Sequence, residues 1–117
     1  MIARRFLTFG AALAGLVRAP LARGAGHDLD LELVLAIDES RSMDAEELEL
    51  QRQGNAGAFL HPAIVAAIRG GAHGRVAVTM VEWAGAGYQR VIVPWTTIAD
   101  AASSAAFAEA ILATPKH

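Results

Sequence analysis

The chain contains no cysteine, which excludes disulfides, zinc–thiolate sites and thiol nucleophiles together. Charge is also scarce, at 19% of residues, and aromatics make up 6%. Set against 54% hydrophobic content, that scarcity excludes a disordered polymer, and 117 residues leave room for one domain. Basic residues thin out along the chain. Arg4, Arg5, Arg18 and Arg23 lie in the first 26 residues, and from His27 onward 6 basic side chains face 12 acidic ones, a net of −6. A chain so short of clustered Lys and Arg is no candidate for nucleic acid, whose phosphates need them. An acidic chain can attract metal ions.

What the start does contain is the pattern of a targeting segment. Arg4 and Arg5 form a positive beginning, residues 6–17 are a twelve-residue apolar run, and small residues at Gly24, Ala25 and Gly26 suit a cleavage site. Twelve residues fall short of the roughly 20 that span a bilayer. The expectation is a leader over residues 1–26, export to the periplasm or the outside, and membrane contact through the leader alone. An uncleaved amphipathic anchor, with Arg18 and Arg23 at the head groups, is the plainer alternative.

The remaining 91 residues alternate between extended and helical patterns. Residues 29–37 alternate briefly and then run apolar through Leu33, Val34, Leu35, Ala36 and Ile37, the pattern of a strand buried on both faces. Asp44 ahead of Ala45, Glu46 and Glu47 marks a helix N-terminus, and Leu48, Gln51, Arg52, Asn55 and Phe59 share a stripe of that helix. His61-Pro62 stops it near Leu60 and starts a second, short helix to about Arg69, expected to pack on the sheet through Ile64, Val65 and Ile68. Residues 75–83 read as a strand covered on both faces. The short, glycine-bearing link after it predicts an antiparallel return over residues 89–95, with Pro94 tolerated at an edge. Ser103 or Ser104 is placed to cap a last helix ending at Thr114-Pro115. No internal repeat is evident.

Residues 31–43, LELVLAIDESRSM, carry the chemistry. Asp38, Ser40 and Ser42 alternate as the apolar strand ends, so a tight turn can bring one carboxylate and two hydroxyls to one point. Hard oxygen donors of this kind suit Mg²⁺ or Mn²⁺. The plain alternative is a strand-to-helix turn whose polar side chains satisfy nearby backbone groups. Glu39 and Arg41 alternate away from these three residues and read as solvated, possible partners for each other. The four histidines show no ligand spacing. Trp83, Trp95 and Tyr88 read as packing residues.

The D-x-S-x-S spacing, followed by LQRQGNAGAF, HPAIVAAI, GRVAVTMVEWAGAG and QRVIVPWT, resembles the von Willebrand factor type A domains, in an exported bacterial branch of unknown function. The resemblance runs from about Asp28 to Ile98. It implies an α/β fold, a partial doubly wound, Rossmann-like sheet with an antiparallel hairpin strand at its edge. It also implies a metal-ion-dependent adhesion site formed by Asp38, Ser40 and Ser42. Arg41 departs from that pattern, which commonly has a small residue between the serines. The resemblance further implies a threonine and an aspartate from later loops, absent here, so the chain is expected to be the N-terminal part of such a domain. The first strand would then have an open apolar edge.

The expected function is a metal-dependent, adhesion-type binding module, whose Mg²⁺ or Mn²⁺ keeps a position open for an acidic residue of a protein partner. No enzyme activity is expected. The alternatives are an aspartate-based phosphoryl hydrolase, opposed by Ser40 standing where such enzymes place a second carboxylate, and a remnant without activity.

Overall fold

The computed structural model describes the backbone of residues 3–9 and, in full, residues 28–39, 44–85 and 87–115. The order of elements is β1 (Ala3–Phe9), β2 (Leu31–Asp38), α1 (Ala45–Leu60), α2 (Pro62–Arg69), β3 (Val76–Trp83), β4 (Gln89–Ile98) and α3 (Ala101–Ala113). The four strands form one sheet in the order β1-β2-β3-β4. β2 is parallel to β1 and to β3, while β4 returns antiparallel to β3. The class is therefore α/β with a mixed sheet and an antiparallel edge strand, as the sequence predicts.

The central strands are apolar because both faces are covered. Leu35, Ile37, Val76, Val78 and Met80 point to the face on which α1 lays Ala56 and Phe59 and α3 lays Phe107, Ala108 and Ile111. The Phe59 and Phe107 rings meet edge to face with centroids 4.7 Å apart, which locks the two helices together over the sheet. On the other face Val34, Ala36 and Val81 form a smaller cluster, with Trp83 and Trp95 packed against it. No described helix contributes to that second cluster.

The helix ends follow the local chemistry. Asp44 caps α1, its Oδ1 accepting the Glu47 N–H at 2.8 Å. His61 closes α1 and caps α2, its Nδ1 accepting the Ala63 N–H, with Pro62 in the first turn of α2. At α3 the cap differs from expectation. Asp100 is the N-cap, and Ser103 supplies the reciprocal half of a capping box, its Oγ accepting the Asp100 N–H while Asp100 Oδ1 accepts the Ser103 N–H. An aspartate three residues upstream outcompetes the serines. Ser104 is buried instead, donating its hydroxyl to the Phe59 carbonyl.

Two further expectations are corrected. α2 does not pack on the sheet: none of its residues is buried, and it touches α1 and α3. The positions over the sheet are already taken by Phe59, Phe107 and Ile111, so only Ile68 reaches the edge of that cluster. β4 continues past Trp95 to Ile98. The ladder slips between Val78 and Met80, and this irregularity accommodates Pro94, which has no N–H to give, before pairing resumes at Thr96.

The expected open edge of β2 is occupied. β1 runs along it in an unbroken register from Ala3 opposite Leu31 to Phe9 opposite Ile37. The rest of the expected leader, residues 10–26, lies outside the described residues.

Candidate functional site

The candidate site lies at the carboxyl ends of the parallel strands β2 and β3, where an open α/β sheet presents its loops to ligands. β2 delivers Asp38 there after five consecutive apolar residues. Asp38 is only 6% exposed and stands opposite Trp83 in the ladder. Pairing runs one step further, the Glu39 N–H donating to the Trp83 carbonyl at 2.9 Å. No described residue donates a hydrogen bond to the Asp38 carboxylate or forms an ion pair with it. Its oxygens are not among the buried polar atoms left without a partner, so they keep contact with solvent at the strand end, where a cation can reach them.

Ser40 and Ser42, the hydroxyls expected to join Asp38, lie outside the described residues, as does Arg41. Among the described residues no three His, Asp or Glu side chains come close enough to hold a metal ion. The described part of the site thus contains one carboxylate of the motif in position, with no auxiliary acidic cluster around it.

At the same strand ends, on the opposite face of the sheet from Asp38, is an ionic arrangement that sequence reasoning missed. Glu82, on the helix-covered face of β3 and 1% exposed, accepts from Arg90 Nε at 2.6 Å and from Arg52 Nη2 at 3.5 Å. Both arginines also reach the end of α3. Arg52 Nη1 donates to the carbonyls of Ile111 and Thr114 at 3.0 and 2.9 Å, and Arg90 Nη2 to that of Pro115 at 2.7 Å. Cations at the C-terminal carbonyls of a helix satisfy orphan acceptors and oppose its dipole. One buried acid therefore joins β3, β4, α1 and the end of α3. The signal was present in the sequence: a glutamate within the apolar run of β3, and an arginine on the buried stripe of α1.

Glu39 is not the solvated residue the alternation predicts. It is half-buried, its carboxyl group is hydrogen-bonded to Glu82, and its Oε2 is buried with no partner. Burial, then the hydrogen bond to Glu82 and the repulsion from that like charge, push its pKa up to about 7, against the weaker opposing pull of Arg90 and Arg52. Glu39 thus keeps a proton close to neutral pH.

With this geometry established, comparison with known proteins gives one match, to a family described as protein of unknown function (DUF1194), over residues 28–117. The chain belongs to the DUF1194 family. The family region contains every element from β2 to α3, and so both Asp38 and the Glu82 arrangement, while β1 lies outside it. No curated protein and no solved structure matches the chain.

Proposed function

We propose that this DUF1194 domain is a metal-dependent protein-binding module of the von Willebrand factor type A kind. Asp38, Ser40 and Ser42 would hold Mg²⁺ or Mn²⁺, and the ion would supply a Lewis-acidic position for an acidic residue of a protein partner. The observation that carries this reading is Asp38 at the carboxyl end of a central parallel strand, its carboxylate without a hydrogen-bond or ion-pair partner among the described residues. Glu82 marks the contrast. That acid, 1% exposed against 6% for Asp38, has two arginines, whereas Asp38 has no ion-pair partner among the described residues.

The donor chemistry fits the ion. A carboxylate with two hydroxyls is an all-oxygen set of the kind hard divalent cations accept. The parallel pairing of β2 with β3 and the antiparallel β4 are also what the resemblance implies. An aspartate-based hydrolase gains no support, because Ser40 stands where its acid–base carboxylate would be.

The proposal includes export, which the Arg4-Arg5 start and the apolar run of residues 6–17 support. No helix among the described residues is long and apolar enough to cross a membrane. Isothermal titration of the full chain with Mg²⁺ and with Mn²⁺, beside the Asp38→Ala variant, tests the site. Equal binding by the two proteins would sink the assignment.

A further inference from the structure

We propose that Ala3–Phe9 is a removable plug on the β2 edge, and that withdrawing it lets the same edge of a second copy take its place.

β2 is an interior strand by composition. Val34, Leu35, Ala36 and Ile37 are buried, and side chains cover both faces of the sheet at this point. On one side its backbone is paired by β3, and on the other by β1 alone. With β1 gone, a row of β2 N–H and C=O groups stands at an apolar edge, the arrangement that recruits another strand. The register shows why β1 is the occupant in the intact chain. Its seven residues pair with β2 without a break, from Ala3 opposite Leu31 to Phe9 opposite Ile37. Tethering adds to this, since a segment of the same chain competes at an effective concentration in the millimolar range.

A second copy is the replacement that geometry favours. Two β2 edges related by a two-fold axis pair antiparallel, giving one continuous sheet and leaving no further β2 edge, so association closes at a dimer. A register centred on Val34 sets each Glu32 opposite Ala36 of the partner subunit, which keeps the two buried acids apart. The residues that form the plug also begin the segment that resembles a leader, Arg4-Arg5 followed by apolar residues. A segment engaged by export machinery is not in a sheet, so export would open the edge. That last step rests on the export reading, and the plug itself does not.

The experiment uses the full chain. Phe6→Pro and Leu7→Pro are introduced together, because whichever of these adjacent amides points at β2 is then lost to the ladder. Light scattering after size exclusion measures mass, and hydrogen exchange measures protection of the β2 and β3 amides. The wild-type chain is expected at the single-chain mass of 12.3 kDa with β2 protected. The double variant is expected at twice that mass with β2 and β3 still protected, while Phe6→Leu with Leu7→Val stays at the single-chain mass. The proposal is overturned if the proline variant keeps the single-chain mass, if the wild type is already dimeric, if the variant forms open-ended aggregates, or if β3 loses protection along with β2.

Discussion

Glu39 and Glu82 bring two carboxyl groups together at the carboxyl ends of β2 and β3, and their surroundings make them unequal: Glu82 bridges two arginines, whereas Glu39 has one oxygen buried without a partner. Because the folded protein holds Glu39 up to about 7 against an ordinary value of 4.5, the folded state binds the proton more tightly than the unfolded chain. Its contribution to stability is therefore complete below about 4.5 and is lost as pH rises through about 7. In metal-free buffer, the unfolding free energy from urea titration should fall between pH 5 and pH 8 by an amount on the order of 1 kcal/mol, after allowance for solvent screening. Glu39→Gln should flatten that slope. An unchanged slope in the variant would remove Glu39 as its source.

Glu82→Ala should be among the most damaging single changes, at about 3–5 kcal/mol, because it leaves Arg52 buried and deprives Arg90 of its closest partner. Arg90→Ala should cost less, since its side chain is 22% exposed and Arg52 remains paired. Chemical denaturation of the two variants gives the ordering. Hydrogen exchange at the end of α3 should quicken in Arg52→Ala, which loses the bonds to Ile111 and Thr114.

Glycines in this chain divide by what surrounds them. A Cβ on Gly71 would collide with Asp30 Oδ2, and Asp30 holds the loop before β3 by accepting the N–H groups of His73 and Gly74. Gly71→Ala should push that carboxylate off the loop and lower the melting temperature. Gly54 has open space within α1, so Gly54→Ala should raise stability by roughly 0.5–1 kcal/mol through helix propensity. Differential scanning calorimetry of both variants checks the opposite signs.

Metal affinity should be weak, because one carboxylate and two neutral hydroxyls fill only part of an octahedral shell and offset little of the ion's charge. Asp38→Ala should abolish binding, and Ser40→Ala and Ser42→Ala should each reduce it several-fold. Arg41→Gly removes a fixed cation from the motif and should strengthen binding modestly. Titration calorimetry with Mg²⁺ and Mn²⁺ ranks the series, and an Arg41→Gly variant that binds more weakly than the parent would contradict the electrostatic argument.

Local chemistry was legible without a structure. The apolar run of β2, the Asp44 cap, the His61-Pro62 break and the helix between Pro62 and Arg69 all appear where the residue order puts them, because each depends on neighbours within a few positions. Asp38 at a strand end was readable for the same reason. That no described residue pairs with it was not, since that depends on what the other strands and helices bring near. Only the tertiary structure decided that α2 stays off the sheet, that Glu39 meets Glu82 rather than water, and that Arg52 and Arg90 converge from α1 and β4 on one acid of β3. It also decided that β1 covers β2, a pairing between segments more than twenty residues apart. Side-chain periodicity tells which face of an element is apolar. Which element fills that face, and which charge meets which, is set by long-range packing in competition among all candidates, and no local window of sequence contains it.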